Sequence, residues 1–126
     1  EYAGGVALRP TSAVEFPEPM PGSVTVNSGV GVLLHASRQI IGTYTAQSGA
    51  LNLNGNNLQL SGAANFNGGT FIGGTTPDLT IDGTGNLNGI IPASVQVRNM
   101  TMNRPGATLT LGSSFIVTNT LTLTQG

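Results

Sequence analysis

The acidic pair Asp78 and Asp82, in PDLTID, is the best-placed candidate for chemistry in the chain. Two carboxylates flanking a bond can act as general acid and base. In a strand both would share one outer face with Thr80, and four residues at roughly 3.3 Å each separate their Cα atoms by about 13 Å. Glycosidase carboxyls stand about 5–9.5 Å apart, so this pair is too wide unless the chain bends. With Arg98 it is all that a polysaccharide lyase or hydrolase would have to work with. A calcium site at Asp78 or Asp82, completed by neighbouring carbonyls, is the other chemical option. GGTFIGGTTPD (68–78) has glycines but not the Asp spacing of the calcium-binding nonapeptide. The plainer reading is a solvated outer face.

The remaining motifs are weaker. His35, in LLHAS, is the only histidine, so a two-His metal site cannot be assembled within the chain, and neither GxSxG nor HExxH is present. A packed or turn histidine is the simpler reading. Zero cysteines exclude disulfides and thiolate metal sites. GTGNLNG (83–89) misses the dinucleotide-binding spacing by one position, and no helical pattern follows, so it reads as a turn. Asn99-Met100-Thr101 fits a glycosylation sequon, a pattern that arises easily by chance. No catalytic residue, metal or cofactor is expected, and the chain reads as a non-enzyme.

The composition narrows the class. The 126 residues suffice for one domain. Charged residues make up only 7%, where about 25% is usual. With a net charge of −1 there is no basic stripe for phosphates, which argues against nucleic acid. No apolar run reaches the length of a membrane-spanning helix. The 19 glycines and 7 prolines raise the question of disorder, but regular apolar pairs and near-neutral charge argue for a folded chain. Lysine is absent, so an internal Lys–Asn isopeptide staple is excluded.

The elements that would position these residues follow a period of two. Val24/Val26, Leu51/Leu53, Leu58/Leu60, Leu79/Ile81, Val95/Val97, Met100/Met102, Leu109/Leu111, Phe115/Val117 and Leu121/Leu123 alternate with Thr, Asn, Gln and Asp. The best helical candidate, GVLLHASRQIIG (31–42), is short, bounded by glycine and β-branched at its end. Asn54-Gly55, Asn67-Gly68, Asp82-Gly83 and Asn88-Gly89 suit tight turns, and Pro21-Gly22 and Pro105-Gly106 suit type II turns. The chain is therefore all-β. A sandwich needs more aromatic bulk than the 5% present. Short strands, small aliphatic pairs and polar turns favour a β-solenoid (β-helix), about five rungs of ~20–25 residues. Internal echoes support an array: GSVTV (22–26) with GATLTL (106–111), and TYTAQSG (43–49) with LTLTQG (121–126).

Residues 9–23, RPTSAVEFPEPMPGS, hold four of the seven prolines and two of the five acids. We expect residues 1–21 to be an extended edge strand, cap or inter-subunit arm, with the solenoid domain over 22–126. Phe16, Pro17, Pro19 and Met20 are the candidates for docking on a partner or covering the side of the stack. The stretch Leu121, Thr122, Leu123, Thr124, Gln125 carries no charge and no proline, and is the candidate self-assembly edge. The outward threonines Thr108, Thr110, Thr118 and Thr120, with Thr122 and Thr124, are the candidate face for a glycan or ice.

LNLNGNNLQLSG, NFNGGTF, LTIDGTGNLNG and VRNMTMNRPGATLTLGSSFIVTNTLTLTQG resemble repeat arrays in large secreted surface proteins of the Bacteroidota. The likeness covers residues 49–126, with weaker echoes over 22–48, and residues 1–21 do not follow it. It implies a β-solenoid exported to the cell surface or beyond, adhesive or matrix-like. The C-terminal sorting domain of such proteins is not among these residues, so an excerpt, a processed piece or an unusual short member is expected. Two roles follow: a structural subunit of a fibre, adhesin or matrix that forms a homo-oligomer or homopolymer by end-to-end stacking, or a surface module binding polysaccharide or ice.

Overall fold

In the computed structural model, residues 2–3, 9–10, 17–91 and 95–125 are described. They form three parallel sheets wound into a coil. One sheet stacks the strands Tyr2–Ala3, Val24–Asn27, Tyr44–Ser48, Ala64–Phe66, Leu87–Ile91 and Thr110–Leu111. A second stacks Arg9–Pro10, Val32–Leu33, Ala50–Asn52 and Thr70–Ile72. The third stacks Arg38–Ile40, Leu58–Leu60, Asp78–Asp82, Val95–Asn103 and Phe115–Gln125. Each circuit visits the three sheets in turn, and about five circuits form a stack roughly 25 Å tall at ~4.8 Å per strand. The chain is a β-solenoid, as its short strands, small aliphatic pairs and polar turns predict.

Registry shows how the sequence repeats. Arg38, Leu58, Leu79, Met100 and Leu121 lie in one column, and Ile40, Leu60, Ile81, Met102 and Leu123 in the next. The steps are therefore 20 or 21 residues. In both columns the aliphatic members below the last coil are buried, so each circuit covers the apolar face of the one beneath. In the upper coils the second and third sides merge. Val95–Asn103 and Phe115–Gln125 run continuously around the corner, with a register shift between Val97 and Asn99.

Residues 31–42, the best helical candidate in a chain read as all-β, form no helix and hold the strands Val32–Leu33 and Arg38–Ile40. Three expectations are corrected. Asn88-Gly89 lies inside the strand Leu87–Ile91 rather than in a turn. There Gly89 has φ +82°, and a Cβ would press on the Phe66 carbonyl below. Pro21-Gly22 makes no type II turn, since Gly22 lacks the positive φ that such a turn needs, whereas Gly106 supplies it at +69°. TYTAQSG and LTLTQG occupy different sheets, the first and the third, so that echo does not set the phase of the coil.

Among the described residues, Tyr44, Phe66 and Phe71 form an aromatic group in the interior. Tyr44 stacks on Phe71 at 5.5 Å between centroids, and Phe66 meets Phe71 edge-on at 5.7 Å. Tyr44 is 1% exposed, and among the described residues its hydroxyl has no hydrogen-bond partner. Burial pushes that hydroxyl well above the usual phenol range. A buried, unpaired polar group costs about 1–3 kcal/mol. Tyr44→Phe should therefore raise stability by about 1 kcal/mol, read as a higher urea midpoint at unchanged slope. A loss of stability would show that the hydroxyl has a partner.

Candidate assembly edge and polar faces

The candidate self-assembly residues lie on the last coil. Each is exposed: Leu121, Thr122, Leu123, Thr124 and Gln125. Leu121 and Leu123 continue the two inner columns whose aliphatic members are buried in the lower coils, yet they are 56% and 69% exposed. One edge of Phe115–Gln125 pairs with Val95–Asn103, and the other has no strand on it among the described residues. Together with Met100, Met102, Ala107 and Leu109, the two leucines line a concavity of about 590 Å³ at this end. Chemically, it presents an apolar floor beside a strand edge that no other described strand covers.

The opposite end of the third sheet is occupied. The Met20 N–H donates to the Gln39 carbonyl at 2.8 Å, and the Ile41 N–H donates to the Met20 carbonyl at 2.9 Å. Glu18 adds a carboxylate that accepts the Gln39 N–H at 2.9 and 3.1 Å. Pro17 and Pro19 are exposed on this segment, and Met20 is half-buried against the core. Phe16 lies outside the described residues.

The candidate Thr face is divided. Thr110 stands on the first sheet with Thr108 just before it, whereas Thr118 and Thr120 lie at the corner between the second and third sides. The Thr118 hydroxyl donates to the Val97 carbonyl at 3.3 Å, and the Thr120 N–H donates to Asn99 Oδ1 at 3.1 Å. A more regular row was not singled out from the sequence: Thr80, Thr101 and Thr122 stack directly on the third sheet above Gln39 and Gln59.

The candidate catalytic groups are engaged in holding coils together. Asp78 accepts two hydrogen bonds from Arg98, at 2.9 and 2.8 Å, and one from Asn99 at 2.9 Å. The Arg98 guanidinium holds the Asp78 carboxyl below its usual range. Asp82 accepts from Gln59 Nε2 and Ser61 Oγ, both at 2.6 Å. Asp78 and Asp82 stand at the two ends of one strand, as their spacing predicts. The Asn99 amide donates to Asp78 and accepts from Asn119 at 2.9 Å, so the sequon nitrogen is already in use. His35 is exposed at a corner, its Nε2 lying 2.6 Å from Arg38 Nη2. Among the described residues no group of three or more His, Cys, Asp or Glu side chains could hold a metal, and no helix is long and apolar enough to cross a membrane.

Sequence reading missed one charged group at the centre of the stack. Arg104 is 1% exposed, and it follows Asn103 at the corner where the lower coils place Gly62 and Gly83. Its Nε donates to the Asp82 carbonyl at 2.9 Å and its Nη2 to the Leu60 carbonyl at 2.7 Å. Burial pushes the guanidinium down from its usual range, and the Asp82 charge pulls it back up. An arginine before Pro-Gly looks like a solvated corner until the phase of the coil is known.

Comparison with protein-family models, curated protein sequences and solved structures gives no match.

Proposed function

We propose that this β-solenoid is a structural subunit or segment of an extracellular fibre, adhesin or matrix, joined to other chains by strand stacking. Coil-to-coil stacking carries the reading: Leu121 and Leu123 occupy columns that the lower coils bury, and among the described residues no strand lies on the outer edge of Phe115–Gln125, so a further coil would continue both. Covering a leucine fully contributes about 1.5–3 kcal/mol, so two of them with a row of backbone hydrogen bonds make a substantial drive towards association. Non-enzymatic action is part of the proposal. It is supported by the carboxylates, which serve coil-to-coil contacts rather than facing each other across a cleft. The extracellular setting rests on the resemblance of residues 49–126 to secreted surface arrays.

The test is sedimentation of the 126-residue chain beside the variant carrying L121D and L123D. The native chain should sediment as two or more copies, and the variant as one copy with its β spectrum retained. A native chain that stays single at about millimolar concentration would overturn the proposal.

A second reading is favoured by the Thr80–Thr101–Thr122 column, which presents hydroxyls at strand spacing, about 4.8 Å apart, to a polysaccharide or ice surface. Glycan-array binding or ice shaping that disappears in T101V with T122V would support it. Retention of either activity in that variant would remove the column from the account.

A further inference from the structure

We infer that Asn54 is a self-modification site, where the chain's own backbone converts the side-chain amide into a carboxylate with release of ammonia. The sequence holds three Asn-Gly pairs, at 54–55, 67–68 and 88–89, and the coil leaves one of them ready to react.

The chemistry needs only water. The Gly55 nitrogen, its proton lost to water, attacks Asn54 Cγ and closes a five-membered succinimide. The Cγ–Nδ2 bond breaks, and Nδ2 takes up a proton and leaves as ammonia. Water then opens the ring at either carbonyl, giving aspartate or isoaspartate. Glycine after the asparagine favours closure because no Cβ obstructs the approach.

The geometry at Asn54 meets these needs. Asn54 and Gly55 are both exposed at the corner between the second and third sides, with φ of 51° and 77°. The Asn56 N–H donates to the Leu53 carbonyl at 2.8 Å, closing a tight turn of the primed kind around the pair. Among the described residues the Gly55 N–H has no acceptor, so its attack gives up no backbone hydrogen bond. Around Gly55 an added Cβ would meet only the Thr76 hydroxyl, so the turn has room to bend.

The other two pairs are restrained. Gly68 packs on the Gln47 carbonyl of the coil below, and the Asn67 N–H donates to the Ala46 carbonyl at 3.2 Å. Asn88 and Gly89 lie within Leu87–Ile91, which is paired with strands on both sides. Asn88 Nδ2 also donates to Asn65 Oδ1 at 2.8 Å. Cyclisation there must first lift the backbone off its neighbours, and that local opening slows it.

The product changes the stack. Asn54 Nδ2 and Asn56 Nδ2 both donate to the Leu34 carbonyl of the coil below, at 3.2 and 3.1 Å. Conversion replaces one donor by a negative charge beside that carbonyl, and isoaspartate adds a methylene to the main chain. The corner loosens as the protein ages.

The test is to age the folded 126-residue chain in mildly alkaline phosphate, beside the same chain unfolded in guanidinium chloride. Pepsin peptides are then mapped by mass spectrometry for the one-dalton gain and for isoaspartate. Unfolded, the three pairs should convert at similar rates. Folded, Asn54 should convert first, about tenfold or more ahead of Asn88. N54Q should abolish that product, because glutamine would have to close a larger ring. Equal protection of Asn54 and Asn88 in the folded chain, or conversion of Asn67 ahead of Asn54, overturns the inference. So does a product at Asn54 that is aspartate alone, the mark of direct amide hydrolysis.

Discussion

Replacing Arg104 with alanine should cost about 3–5 kcal/mol. The guanidinium donates to carbonyls of two coils below it, Asp82 and Leu60, and also reaches Gly85. The Arg104 N–H donates to the Gln125 carbonyl at 2.9 Å, so the same residue ties the last coil to the rest. Hydrogen bonds to a charged group contribute about 1.5–3 kcal/mol each, and truncation leaves buried carbonyls unpaired as well as a void. Domains of this size have about 5–15 kcal/mol of stability, so R104A should lower the melting temperature by on the order of 10 °C or more. R104K should recover only part of the loss, because a point charge cannot serve carbonyls on two coils as the planar fork does. Urea denaturation of the three proteins decides it. A loss below about 1 kcal/mol in R104A would mean that water replaces the guanidinium at the corner.

Gly62→Ala should cost about 2–3 kcal/mol. Gly22, Gly42 and Gly62 recur at 20-residue steps and stack at one corner of the coil. A Cβ at Gly62 would meet the carbonyl oxygens of Ile41 and Gly42, both backbone atoms that move only if the coils separate. Restricting the unfolded chain favours alanine by about 0.4–1 kcal/mol, which is too little to offset that collision. Gly106→Ala is the informative comparison. Its Cβ would enter open space, but the residue has φ +69°. It should lose about 1–2 kcal/mol from backbone strain alone. If G62A proves no worse than G106A in chemical denaturation, coil spacing is more compliant than the close approach implies.

These two sites mark where the sequence was readable and where it was not. Alternation of apolar and polar residues is local, so the all-β character and the buried pairs Val24/Val26, Leu58/Leu60 and Leu79/Ile81 could be recognised without a structure. The same alternation occurs on all three sides of the coil. It therefore cannot tell which side a strand belongs to, and TYTAQSG was matched to LTLTQG across different sheets. Phase is carried by the corners, where the Gly22–Gly42–Gly62 column was the available signal. Without that phase, Arg104 reads as one more turn residue, and Glu18 as a charge in a Pro-rich stretch rather than a substitute for a strand's carbonyls. Thr80, Thr101 and Thr122 sit 21 residues apart, so their column became visible only once the registry was in hand.

The central claim is that this solenoid joins other chains through its last coil. Small-angle X-ray scattering of the 126-residue chain over a concentration series tests it most directly, because it reports mass and length together. The account predicts at least two chains per particle, longer along the stack axis than the roughly 25 Å of one chain. Particles of one chain at every concentration would contradict it.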